Sequence, residues 1–212
     1  DKDKAINNWI RVNLEKHQRI LFNGDGYSED WVKEAEKRGL PNLKTTVEAT
    51  DVLLEKKVKD LFRDSKVLSE TELLSRANIK YERYANQAII DSKTRSHRAR
   101  KQYLPSINKY LGKLANEIKD LKEAGIPVPI TTFDTAKKIS ALLEEAGKAT
   151  DVLDGLLEEA KNFHGRDLAI FSRDQLLPAR HALRSPIDQL ELLVSKEDWP
   201  VPSYGDLLFH II

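Results

Sequence analysis

The residues able to do chemistry in this chain are few and scattered. The five histidines, His17, His97, His164, His181 and His210, have no carboxylate or second histidine at metal-ligand spacing, and no His-Glu-x-x-His pair occurs. Zero cysteines rule out disulfides, thiolate metal sites and cysteine nucleophiles. Neither a Gly-x-x-x-x-Gly-Lys-Ser/Thr loop nor a Gly-x-Gly-x-x-Gly turn is present, so the common phosphate cradles are missing.

Asn23-Gly24-Asp25-Gly26-Tyr27-Ser28-Glu29-Asp30 has a distant likeness to a calcium-binding loop. It lacks the glycine at the sixth position, where Ser28 stands. The simpler reading is a turn leading into a helix capped by Ser28. Glu29, Asp30, Glu34 and Glu36 could pass for a carboxylate pair doing acid–base work. At helical spacing beside Lys33, Lys37 and Arg38 they form a solvated, salt-bridged face instead. The densest basic stretch runs from Lys93 to Lys101, with Arg95, His97, Arg98 and Arg100, and Tyr103 follows it. Cations beside an aromatic suit a phosphate backbone, but they pair equally well with an acidic neighbour. These readings leave no catalytic, cofactor-binding or metal-ligating residue to name.

The elements that would hold such residues are helices. Apolar positions from Lys4 to Arg19 recur at helical intervals, and a second helix from Trp31 to Arg38 is expected to stop at Gly39 and Pro41. One helix is expected from Val47 to Arg63. Ser69 and Glu72 form a capping box that opens a helical pattern lasting to Ala124. Pro105 removes a hydrogen bond inside that pattern, predicting a kink or break near Tyr103. After Gly125 to Pro129, a helix from Thr131 or Thr132 carries Ile139, Leu142, Leu143, Ala146, Ala149, Val152, Leu153, Leu156, Leu157 and Ala160, an amphipathic seam. A further helix spans Arg166 to Val194 and contains Pro178 and Pro186. The tail from Trp199 to Phe209 is aromatic and proline-rich, too apolar for a free end, and is expected to pack on a surface. No useful strand alternation appears. The fold class predicted is all-α, a bundle of long antiparallel helices with Pro/Gly-punctuated turns and an apolar C-terminal tail.

Composition agrees. The 212 residues carry 40% hydrophobic and 33% charged side chains, enough to bury a core beneath a solvated surface. With 35 basic and 34 acidic residues the net charge is +1, so no overall field draws in nucleic acid or an anionic membrane. No apolar run is long enough to span a bilayer and no signal peptide is visible, so a cytoplasmic address is expected. The chain begins at Asp1 and reads as a piece of a longer protein.

Three stretches resemble the type III glutamine synthetases. The first is Phe22-Asn23-Gly24-Asp25-Gly26-Tyr27-Ser28-Glu29-Asp30-Trp31, continuing through Glu34 to Leu40 and to Lys44-Thr45-Thr46. The second is Ile90-Asp91-Ser92-Lys93 with Leu104-Pro105 and Lys109-Tyr110. The third is Leu177-Pro178-Ala179 with Leu183-Arg184, then Trp199-Pro200-Val201-Pro202-Ser203-Tyr204-Gly205-Asp206-Leu207-Leu208-Phe209. Arg95-Ser96-His97-Arg98 departs from the family, which is usually apolar there. The resemblance implies that the full-length protein is an ATP- and Mg²⁺-dependent ligase joining ammonia to glutamate. Its metal-binding carboxylates and substrate-binding arginines would lie upstream, so no catalytic residue carries over. Residues 1–44 would then be a helix–turn–helix segment linking to an upstream catalytic domain, and 45–212 a helical bundle domain. Implied partners are that catalytic domain and neighbouring subunits of a homo-oligomer, with no nucleic acid and no membrane. The seam from Ile139 to Ala160 and the tail from Trp199 to Phe209 are the candidate contact surfaces. A free-standing helical interaction module is the alternative, and a nucleic-acid binder using Lys93 to Lys101 the third reading.

Overall fold

A computed structural model of the chain describes residues 1–202 and 204–209, without the side chain of Tyr204. Ser203 and His210 therefore lie outside the described residues. The chain divides into two compact units, Asp1–Ala49 and Thr50–Ile212. Among the described residues all regular structure is helical, and no helix is long and apolar enough to cross a membrane.

In the first unit, α1 (Lys2–Lys16) is followed by a 3-10 turn over Gln18–Ile20 and then α2 (Glu29–Lys37). Ser28 caps α2 by accepting from the Trp31 amide at 3.3 Å. Its other end closes as a Schellman motif. Gly39, at φ +71°, donates to Glu36, and Leu40 donates to Ala35, each at 2.9 Å. Only glycine takes that backbone conformation without strain, which is why the helix stops there.

α3 (Thr46–Leu53) crosses the division, and α4 (Lys56–Asp64) follows it. The single helix expected from Val47 to Arg63 is thus two. Leu54 and Glu55 turn back onto the Asp51 and Val52 carbonyls, and Glu55 is extended, at ψ 143°. No glycine or proline marks the break.

The second unit is built on α5 (Glu70–Arg98), α6 (Leu104–Glu123), α7 (Ile130–Glu159), α8 (Gly165–Phe171) and α9 (Leu177–Glu191), with α10 (Tyr204–Leu208) in the tail. α7 packs on α6 and α9, while α5 packs on α7 and α8. The capping box at the start of α5 is present. The Glu72 amide donates to the Ser69 hydroxyl at 3.3 Å, and the Glu72 carboxylate accepts from the Ser69 amide at 2.8 Å. The buried face of α5 is mostly small: Ala77, Ala85, Ala88, Ser92 and Ser96 recur about every fourth residue. Such a face lets neighbouring helices approach closely. Its hydroxyls satisfy themselves locally, as Ser92 does on the Ala88 carbonyl at 2.6 Å.

The seam of α7 is the centre of this core. Ile139, Ala146 and Leu153 have no exposed surface, and Leu142, Leu157 and Ala160 are buried beside them. This corrects the expectation that the seam is a surface for other subunits: its apolar stripe is already consumed by α6 and α9.

The prolines are accommodated without breaking the helices. Before Leu104-Pro105, residues Ala99–Tyr103 widen into a π turn in which the Leu104 amide reaches the Ala99 carbonyl. Before Leu177-Pro178, Ser172–Leu176 does the same, with Leu177 donating to Ser172. A proline lacks the amide its fourth-preceding carbonyl needs and its ring crowds that carbonyl. Insertion of one extra residue in the turn relieves both conflicts. The disturbance expected near Tyr103 is therefore a π turn, with helix on both sides of it. Pro129, rather than a threonine, occupies the cap of α7, which starts at Ile130.

Candidate functional site

In the first unit the loop from Asn23 to Asp30 is structural. The Asp25 side chain accepts from the Tyr27 amide at 2.9 Å, and its carbonyl accepts from the Ser28 hydroxyl at 2.7 Å. Phe22 stacks on Trp31 with centroids 4.4 Å apart. Arg38 lies over both rings, donates to Glu34 at 2.7 Å, and hooks the Leu21 carbonyl. That guanidinium holds the Glu34 carboxyl below the ordinary glutamate range. Of the acidic face suspected of acid–base work, Glu34 is ion-paired with Arg38 at 2.7 Å. Gly24 is required by packing, since a Cβ there would stand 2.6 Å from the Phe22 ring.

In the second unit two long-range ionic knots hold helices together. Arg166 on α8 forks onto Asp51 on α3, Nε to Oδ1 and Nη2 to Oδ2, both at 2.7 Å. The buried Tyr81 hydroxyl donates to the same carboxylate. Arg166 holds the Asp51 carboxyl low, and burial followed by the Asp51 charge pushes the Tyr81 phenol up to about 12. Arg100 bridges Asp151 and Asp154 on α7, each at 2.7 Å, and Ser96 also donates to Asp154.

The basic stretch does not present one cationic face. Ser96 and Arg100 turn to α7, while Arg95 and Arg98 turn toward α9. There they border a groove of about 490 Å³. Ala99 and Tyr103, the first and last residues of the π turn, line one side, and Leu183 and Ile187 of α9 line the other. Trp199 closes one end, stacked on Tyr103 with centroids 5.4 Å apart. The tail thus packs on a surface at Trp199, but Leu207, Leu208 and Phe209 stand exposed.

Around Arg95 the charges are uneven. Asp91 pairs with Arg180 at 3.3 Å and Asp188 with Arg184 at 2.8 Å. Arg95 is half-buried and makes no hydrogen bond or ion pair with the described residues. Burial, then the charges of Arg180 and Arg184, lower its pKa. An arginine keeps its proton regardless, so a half-buried positive charge stays beside two others. The Arg180 Nε and Trp199 Nε1 donors are buried without an acceptor.

His17, His97, His164 and His181 are each exposed and dispersed. Among the described residues no three histidine or carboxylate side chains cluster as a metal would need. The best-placed carboxylates, Asp51, Asp151, Asp154 and Asp198, are taken by arginine or lysine. This donor set does not fit Mg²⁺–ATP. The groove was missed in the sequence because its walls come from segments far apart in the chain. The only local signals were the two Leu-Pro pairs, each of which marks a π turn.

Residues 5–122 match the family described as glutamine synthetase C-terminal domain. Over 215 residues the chain is 31% identical to a type-3 glutamine synthetase of Dictyostelium discoideum, covering 98% of this chain. It is 28% identical to a glutamine synthetase of Butyrivibrio fibrisolvens, over 95% of its length. With a glutamine synthetase of Bacteroides fragilis it shares 27% identity over 98%. In each case it spans 29% of the relative's own length.

Proposed function

Because the chain belongs to the glutamine synthetase C-terminal domain family, we propose that it is the non-catalytic helical part of an ATP-dependent glutamate–ammonia ligase. It packs beside the catalytic domain and supports subunit assembly in the cytoplasm. ATP and Mg²⁺ belong to the catalytic domain. Forming and breaking a phosphoryl bond requires several carboxylates converging on metal ions in one pocket. The observation that carries this reading is the fate of Asp51, Asp151 and Asp154, which are paired with arginines and tie helix to helix.

Contact surfaces that remain for such a role are exposed and apolar. α1 buries none of its residues and displays Ile6, Trp9 and Ile10. The end of the tail displays Leu207, Leu208 and Phe209. Aromatic and aliphatic clusters of this kind are typical of interface cores.

The test is to express this chain and the rest of the full-length polypeptide as two separate molecules. Co-purification, with assembly mass and glutamine formation restored only when both are present, is expected. If the remainder alone reaches the same assembly mass, melting temperature and turnover, the scaffold reading is overturned.

A further inference from the structure

We propose that the groove between α5 and α9 is a binding site for a small organic carboxylate with an apolar body, which Arg95 neutralises above the Tyr103–Trp199 stack. The inference is independent of the scaffold role.

Charge is the first argument. Arg95, Arg180 and Arg184 face two carboxylates, Asp91 and Asp188, which are committed to Arg180 and Arg184 respectively. Arg98 and Glu191, one charge of each sign, also line the groove. One positive charge is left over, and it sits on the half-buried Arg95. A monoanion removes it. A guanidinium presents its donors as a planar fork that matches a carboxylate in two-point contact.

Size and floor are the second. A groove of about 490 Å³ falls within the range of small-molecule sites. Leu183, Ile187 and the aromatic pair offer an apolar bed, so an inorganic anion would leave most of it unfilled. The ligand is therefore part apolar and part anionic.

The probes are 3-phenylpropanoate, its neutral amide 3-phenylpropanamide, and inorganic sulfate. Each is titrated into the full-length protein by calorimetry, with the Trp199 indole N–H followed by NMR. The carboxylate is expected to bind and to shift that resonance. Its amide should bind about tenfold more weakly or worse, because the charge-assisted contact is lost. Sulfate should bind more weakly still, and Arg95→Gln should lower carboxylate affinity by about tenfold or more. Equal affinity for carboxylate and amide would overturn the proposal, as would carboxylate binding unchanged in Arg95→Gln, tighter binding of sulfate, or no binding at all. The comparison of carboxylate and amide uses the unaltered protein, so it stands even if the variant folds poorly.

Discussion

Arg166 closes a two-point fork on Asp51, each of its contacts at 2.7 Å, although the two residues stand 115 positions apart. The hydroxyl of Tyr81, 1% exposed, completes the knot. One carboxylate thereby fastens α3, α5 and α8. Both ends of the pH scale should feel it. The Asp51 pKa is depressed on folding, so its stabilisation is present above the unfolded value and is lost as pH falls through the lower folded value. Tyr81 is raised from 10.0 to about 12, so its share is full below 10 and is lost as pH rises toward 12. Tyr81→Phe should remove much of the alkaline loss between those limits. Asp51→Asn should flatten the acid limb below about pH 4 and cost about 1–3 kcal/mol at neutral pH, by leaving a buried phenol and a guanidinium short of an acceptor. Urea unfolding across pH measures both.

Adjacent positions on α7 separate core from surface. Leu153 has no exposed area, whereas Val152 is 58% exposed. Leu153→Ala should cost about 2–5 kcal/mol, and Val152→Ala within about 0.5 kcal/mol. Chemical denaturation of the two variants checks this. Equal small losses would return the seam to the surface.

The helical content, the capping box at Ser69, the Ser28 cap and the stop at Gly39 were legible in the sequence, because each is set by neighbours within four residues. The break at Leu54 was not, since no residue there disfavours a helix. Pro105 correctly signalled a disturbance, but whether a helix breaks or widens depends on the packing on either side. The ionic knots join residues 30 to 115 positions apart, and no local pattern announces them or the groove. The resembling stretches at Phe22, Trp31, Glu34 and Arg38 turned out to be a packed corner rather than chemistry, as a ring stack under a guanidinium requires specific residues for shape alone.

The end of α4 carries a correctable strain. Lys66 has φ +56°, and its amide reaches Arg63 while the Val67 amide reaches Phe62, the same closure that Gly39 makes for α2. Lys66→Gly should therefore stabilise the second unit by about 0.5–1 kcal/mol, relief of the left-handed backbone exceeding the added freedom of the unfolded chain. A rise in urea midpoint at unchanged slope is the expected reading.

Gly24→Ala should do the opposite in the first unit. Its Cβ would meet a Phe22 ring already held against Trp31 and Arg38. A loss of about 1–3 kcal/mol is expected, read as a weakened near-ultraviolet dichroism from the stacked rings.

The most direct test of the non-catalytic scaffold reading is phosphate release from Mg²⁺–ATP that depends on glutamate and ammonia. It is measured for the purified 212-residue chain beside the full-length protein. Release by the full-length protein and none above buffer by the chain alone is the predicted result. Glutamate- and ammonia-dependent turnover by the chain alone would contradict it.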